Sequence, residues 1–267
     1  MHAYARPQDL NDALRFLAQG PRVLAGGTDL YPAAGPTLAG DMLDITDLAA
    51  LKGITVADSL RIGAATTWTT IAETTLPPAL QALQQAARVI GGRQIQNAGT
   101  IGGNLCNASP AADGIPPLLV LEAEVELTSS TGIRHLPLAL WLKGPRRVDL
   151  RPDELLTAIH IPAAGLQGRS QFLKLGARSH LVISIAMVAV RIVKEGGKIT
   201  GAFAAVGACS GTAQRLPLVE AALTHGKPLN ADHLAALSPI DDIRATAAYR
   251  REAALELLRR AVEELAA

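Results

Sequence analysis

The spacing of apolar and polar positions changes several times along this chain, and each change predicts an element. Residues 10–18 have helical character, and a short strand follows them into a glycine-rich bend. Residues 41–45 read as the next strand. Residues 54–56 and 60–63 alternate apolar and polar across Ala57-Asp58-Ser59, the pattern of a hairpin with one buried face. Residues 67–73 and 78–89 predict helices. In the second, Pro78 falls in the first turn, where its missing N–H costs nothing, and Leu80, Leu83 and Ala87 share a face. A further helix is expected over 115–121, a second hairpin over 124–128 and 133–136 around Ser129-Ser130-Thr131-Gly132, and a strand over 155–161 stopped by Pro162.

A boundary is expected at 163–168, dividing the chain into domains 1–165 and 166–267. Beyond it, residues 172–175, 181–193 and 198–208 read as three antiparallel strands with Gly196-Gly197 at one turn. The remainder predicts helices over 218–224, over 232–237 behind an Asn230 cap, and over 242–265. Arg250, Arg251, Glu252, Glu256, Arg259 and Arg260 read most simply as a solvated helix face, or as a contact for a partner subunit.

Composition narrows the function classes. At 267 residues the chain exceeds a typical single domain, and with 49% hydrophobic and 18% charged residues it can bury a substantial core. Aromatics make up only 3% and the net charge is +1, so neither a base-stacking platform nor an electrostatic footprint for nucleic acid is present. The two cysteines, Cys106 and Cys209, are too few for an iron–sulfur cluster held by four thiolates, and no Cys/His cluster has zinc spacing; no metal site is expected. They form no secreted-type disulfide framework, and the first residues lack a signal-peptide pattern, so a cytoplasmic location is expected. The best apolar run, 181–190, is interrupted by Ser184 and too short to span a bilayer.

Two glycine-rich segments carry the candidate chemistry: Leu24-Ala25-Gly26-Gly27-Thr28-Asp29-Leu30, and Thr100-Ile101-Gly102-Gly103-Asn104 followed by Ser109-Pro110-Ala111-Ala112-Asp113. Glycine tolerates the positive φ angles that turn successive N–H groups inward, making a nest for phosphate oxygens. Two nests suit a pyrophosphate better than a lone phosphate. Neither segment reads G-x-G-x-x-G or G-x-x-x-x-G-K-[ST], which argues against Rossmann and P-loop sites. A plain turn between strands is the competing reading of each Gly-Gly pair. The interleaved Thr28, Asp29, Thr100, Asn104, Ser109 and Asp113 favour a binding role, because a turn needs few polar side chains.

With these segments in order, and with 21–32, 91–113, 151–162 and 172–190 as flanking text, the chain resembles the FAD-binding subunit of the molybdenum hydroxylases, the family of xanthine dehydrogenase and carbon monoxide dehydrogenase. The resemblance begins at Tyr4-Ala5-Arg6-Pro7 and covers nearly the whole chain. It implies an α+β fold: a two-lobed FAD-binding domain of the vanillyl-alcohol-oxidase (PCMH) type, with lobes of about 1–52 and 53–165. A smaller C-terminal domain of a three-stranded antiparallel sheet and helices follows. FAD is then expected between the lobes. The resemblance implies that Gly26, Gly27 and Thr28, with the amides of Ala25 and Asp29, form the loop that cradles the pyrophosphate, and that Thr100, Gly103 and Asn104 form the opposing cradle. Leu24, Leu30, Ile101 and Ser109 are also expected to bind the cofactor. Asp113 resembles the carboxylate that takes hydroxyls of the ribose or ribityl chain, a task suited to an acceptor with two oxygens. Ile161 and Lys174 fall where the family approaches the isoalloxazine.

Each residue also has a structural reading. Asp29 and Asp113 suit helix caps, Lys174 and Arg178 suit solvated strand ends, and Cys106 suits a small thiol buried beneath a loop. Ala177-Arg178-Ser179-His180 departs from the paired arginines and acidic residue of many family members, which leaves the terminal electron acceptor open. None of His2, His135, His160, His180, His225 and His233 lies in the first loop, so non-covalent FAD is expected.

The function implied by the resemblance is electron relay, with no catalytic acid or base on this chain. A molybdopterin-binding large subunit oxidises substrate, a small [2Fe–2S] subunit passes electrons on, and FAD delivers them to NAD⁺, oxygen or another acceptor, in a hetero-oligomer. An autonomous FAD-dependent oxidoreductase of the same fold, or a scaffold that has lost FAD, are the rival readings. A flavin absorption spectrum and co-purification with the two partner subunits separate them.

Overall fold

The computed structural model describes residues 3–35 and 38–266; His2 lies outside the described residues. The first sheet is parallel, with β1 (Tyr4–Ala5) and β2 (Arg22–Leu24) flanking β3 (Met42–Asp44). Helix α1 (Leu10–Leu17) crosses over from β1, started by Asp9, whose side chain accepts from the Asp12 amide. Its buried Ala13, Leu14 and Leu17 pack with Leu43, Ile45, Leu48 and Leu51. A crossover helix returns the chain so that β2 runs parallel to β3, and the segment leaving the carboxyl end of β2 enters a short helix, α2 (Leu30–Ala33). The first glycine bend is therefore at the carboxyl edge of a parallel sheet, where open α/β sheets leave room for ligands.

The second sheet is antiparallel and five-stranded. Strands β4 (Ile54–Val56) and β5 (Leu60–Gly63) form the first hairpin, and β6 (Glu124–Ser129) and β7 (Gly132–Pro137) the second. They are joined at the centre by β10 (Leu155–Ile161), in the order β4-β5-β10-β6-β7. A two-stranded ribbon, β8 (Leu142–Gly144) with β9 (Arg147–Val148), lies outside it. Alternation sends Leu60, Ile62, Val125, Leu127, Ile159 and Ile161 to one wholly buried face. Against that face pack α3 (Trp68–Glu73), α4 (Gln81–Val89), α6 (Ile101–Asn107) and α7 (Ile115–Val120), with α5 (Arg93–Ala98) and α8 (Leu138–Trp141) alongside. Helix α5 has no sequence expectation behind it: its six residues carry no apolar period, and only Gln96 is buried.

The third sheet runs β11 (Arg169–Leu175), β12 (Ala186–Glu195), β13 (Lys198–Gly207), β14 (Gln214–Arg215), all antiparallel. It has four strands where three are expected, because β14 is a two-residue pairing too short to show a period. The expected strand over 181–193 begins only at Ala186. Upstream, Leu181 has φ +50° and the Ser184 side chain donates to Asp113, so 181–185 is a loop despite its apolar composition. Strand β12 is buried on both faces. Met187 and Ala189 join the core beneath the second sheet, whereas Ala186, Val188, Val190 and Ile192 pack with α9 (Pro217–Thr224) and α10 (Ala247–Ala266). That two-sided burial is why the segment reads as one apolar run.

The stretch 163–168 is bound into the fold, with a 3₁₀ turn over Ala163–Leu166 and Gly165 against the Leu121 carbonyl. Arg191 ties this region down. Its Nε donates to Val120 O at 2.7 Å, its Nη1 to Ala164 O at 2.9 Å, and its Nη2 to Glu122 at 3.0 Å. Helix α10 starts at Ala247, later than expected, because Asp242 instead closes a turn by accepting from the Arg244 amide. The solvated-face reading of α10 fails at Arg250, which is 1% exposed and donates to Ile185 O, Ala208 O and Asp242. The expected Asn230 cap is present on a 3₁₀ helix over Ala231–Leu234.

Candidate functional site

The first glycine segment is a bend whose shape only glycine permits. Gly27 has φ +68°, and a Cβ there would overlap the Tyr31 ring. Gly26 needs glycine for a different reason: a Cβ would stand 1.8 Å from Ala98 O, because this bend lies directly on the backbone of the α5–α6 junction. Among the described residues, no acceptor faces the amides of Gly26, Gly27, Thr28 and Asp29. Four consecutive N–H groups without a protein partner, in a bend that lines a cavity, can accept an anion. Asp29 stands at the N-cap position of α2, but its side chain makes no cap hydrogen bond.

The second segment is a helix start, and this corrects the expectation of a second positive-φ nest. Thr100 caps α6, its Oγ1 accepting from the Gly103 amide at 3.1 Å. The remaining first-turn amides are also taken: Ile101 donates to Thr66 O, Gly102 to Ala64 O and Asn104 to Thr100 O. Neither Gly102 nor Gly103 has a positive φ. Gly102 is required because its Cα rests on Ala64, where a Cβ would meet Ala64 O at 2.6 Å. What this segment offers a ligand is side chains. Asn104 Oδ1 is buried and without a partner, and a buried carbonyl oxygen without a donor costs free energy until a ligand supplies one.

Asp113 is 6% exposed and caps no helix. Its two oxygens accept from Lys174 Nζ and from Ser184 Oγ, each at 2.6 Å. Burial pushes its carboxyl up from the ordinary value, against the opposing pull of Lys174 and Ser184. Lys174 is thus a largely buried ion-pair partner and not a solvated strand end. Arg178 does follow the structural reading: it is exposed and donates to Leu181 O at 3.1 Å.

One cavity of about 1050 Å³ collects these groups. Leu24, Ala25, Gly26, Gly27, Thr28, Asp29 and Leu30 line it, as do Thr100, Gly103, Asn104, Ser109, Asp113 and Lys174. The two bends face the same space. Ile101 and Ile161, also expected near the cofactor, are not among the residues lining it; both side chains are wholly buried in the core of the second sheet. Cys106 is exposed and opens onto the cavity instead of filling space beneath a loop. Trp68, Asn107, Arg146, Val182 and Ile183 are among the further lining residues, which no binding expectation from the sequence names. Asn107 follows Asn104 by one helical turn and holds Arg146, whose Nη1 donates to Asn107 Oδ1 at 2.5 Å; no local pattern marks the others.

Free amides, Thr and Ser hydroxyls, an orphaned acceptor and a Lys–Asp pair around one cavity match the chemistry of a pyrophosphate joined to hydroxylated chains, and so fit FAD. Comparison with known proteins agrees. Residues 1–164 match the family model for the FAD binding domain in molybdopterin dehydrogenase, and residues 171–265 match that for the CO dehydrogenase flavoprotein C-terminal domain. The xanthine dehydrogenase FAD-binding subunit of Escherichia coli is 35% identical, over 93% of this chain and 88% of its own length. The glyceraldehyde dehydrogenase medium chain of Sulfolobus acidocaldarius is 32% identical, over 99% and 98%. In structure, the chain superimposes on reconstituted CO dehydrogenase from Oligotropha carboxidovorans with a TM-score of 0.89 at 31% identity, covering 100% of this chain and 98% of the other. The chain belongs to the FAD-binding medium subunits of the molybdenum hydroxylase family, which are components of oxidoreductases.

Proposed function

We propose that the chain is the electron-relay subunit of a cytoplasmic molybdenum hydroxylase complex, holding FAD non-covalently between its two lobes. The observation that carries this reading is the run of unpaired amides from Gly26 to Asp29 in a bend lining the cavity that Asn104, Asp113 and Lys174 also line. Those amides bind the pyrophosphate. Thr100, Gly103, Asn104 and Ser109 form the opposite wall, with Ile101 behind them setting the start of α6. Asp113 orients Lys174 and receives the hydroxylated chain, and Ile161 supports the flavin end from the core.

FAD supplies a centre that takes electrons singly and releases them as a pair. The chain's own task is position and electrostatics. A small [2Fe–2S] subunit delivers the electrons, a molybdopterin-binding large subunit generates them, and NAD⁺, oxygen or another acceptor removes them. Among the described residues no helix is long and apolar enough to cross a membrane.

Purification of the chain from its native host tests the proposal. A flavin spectrum, release of the chromophore on acid precipitation, and co-purification with a molybdenum subunit and a cysteine-rich subunit are expected. A flavin retained in the precipitate refutes the non-covalent part. A colourless chain that takes up no added FAD refutes the whole.

A further inference from the structure

The outer face of the second sheet carries a side-chain cluster unrelated to the flavin cavity. Glu126 on β6 pairs directly with His135 on β7, and His160 lies on the neighbouring strand β10. Side chains of adjacent strands on one face stand within reach of each other, so register alone brings the three together. One ligand atom from each lies within 4.8 Å of the other two. His160 Nε2 is 2.7 Å from Glu126 Oε2, and the two imidazoles meet edge to face with centroids 5.0 Å apart. None of the three lines the flavin cavity.

We propose that Glu126, His135 and His160 form a site for one divalent transition-metal ion of borderline softness, with Zn²⁺ the representative. Two imidazoles and a carboxylate are a favoured donor set for such ions, and three protein ligands leave a fourth position open. The carboxylate is already oriented. Its Oε1 accepts from Thr157 Oγ1 at 2.7 Å and from Arg61 Nη2 at 3.0 Å, which leaves Oε2 as the coordinating atom. Outer partners of this kind fix a ligand's direction. His135 is exposed, so the ion enters from solvent and its open position faces outward.

The other charges on this face bear on affinity. Arg61 opposes a cation, and Glu124, opposite His160 in the register, favours one. To coordinate together, His160 Nε2 and Glu126 Oε2 exchange their mutual hydrogen bond for bonds to the ion. The ion would staple three strands, β7, β6 and β10, by their side chains.

Calorimetric titration of the metal-stripped, FAD-loaded protein with zinc chloride tests this. One equivalent should bind, and Mg²⁺, which prefers oxygen donors, should not compete. Loss of outer partners alone costs 10–100-fold, so His135→Ala and His160→Ala should each weaken binding at least about 100-fold. His135 is exposed and its replacement leaves the fold intact, so this variant remains informative should His160→Ala misfold. Absence of stoichiometric binding, unchanged affinity in His135→Ala, or displacement by Mg²⁺ would each overturn the proposal. The flavin spectrum is expected to be the same in every variant, which separates failure here from failure of the FAD assignment.

Discussion

Gly26 and Ala98 touch backbone to backbone: a Cβ on Gly26 would stand 1.8 Å from Ala98 O and 2.9 Å from the Cα of Gly99. The contact joins the bend that offers free amides to the junction that starts α6, so the two walls of the cavity are set by one close approach. Gly26→Ala has no flexible neighbour to displace. It should destabilise the chain by about 3 kcal/mol, at the upper end for overpacking, and reduce bound FAD. Thermal denaturation and the flavin-to-protein absorbance ratio measure both.

Asp113 gives a pH signature. Because burial raises its carboxyl in the folded chain, the folded state gives up that proton less readily than the unfolded one. Its contribution is fully present below the ordinary carboxylate value of 3.8 and is lost as pH rises through the raised folded value. Asp113→Asn should flatten the stability–pH curve in that interval and weaken FAD binding at neutral pH, since Lys174 loses the carboxylate that orients it. Denaturant titrations across the interval, with FAD binding followed by fluorescence quenching, check the two effects.

Glu126 has the opposite sign. Burial would raise it, but hydrogen bonds from Thr157, His160 and Arg61 outweigh burial and hold it at about 2, below the ordinary 4.5. Its stabilisation is therefore complete above pH 4.5 and disappears as pH falls toward about 2. In the metal-free protein, Glu126→Gln should be less stable than the parent at neutral pH, and the gap should close over that acid window. A gap independent of pH would show that the loss is packing alone.

The two cysteines should react with iodoacetamide at very different rates. Cys209 is buried, which pushes its thiol up to about 11, whereas Cys106 is exposed on the open cavity. Thiolate is the attacking species and needs access, so at pH 8 Cys209 of the native chain should react on the order of 100-fold or more slowly than in an unfolded control, and Cys106 should react faster than Cys209. Bound FAD should slow Cys106, because this residue lines the cavity. Mass-spectrometric labelling kinetics at the two sites give the rates.

Arg191→Ala should cost about 2 kcal/mol, because Val120 O, in the buried core, would be left without a donor, while Ala164 O would keep the Gln167 amide. Arg191→Lys should recover only part of the loss. One ammonium cannot reproduce the fork that spans α7, the 163–167 turn and Glu122. Chemical denaturation of the three proteins decides it.

The sequence by itself determined the elements with a clear period and the segments with unusual chemistry. The two hairpins, the helices over 68–73 and 81–89, and the glycine text of the first bend follow from local rules: alternation, capping, and the positive φ of Gly27. The resemblance carried by the two glycine segments was enough to indicate family and cofactor. Tertiary structure alone decided how those residues act. Thr66, Ala64 and Thr100 consume the amides of the α6 start, so Gly102 serves close packing against Ala64 and Gly103 donates to the Thr100 cap, where the local text reads as a phosphate nest. Arg250 is buried because Ile185 O, Ala208 O and Asp242 converge on it, although its helix reads as solvated. Glu126, His135 and His160 are distant in sequence and adjacent only through strand register. A period or a cap is a property of neighbouring residues, whereas the partner of a buried polar group is set by whichever distant strand or loop packs beside it.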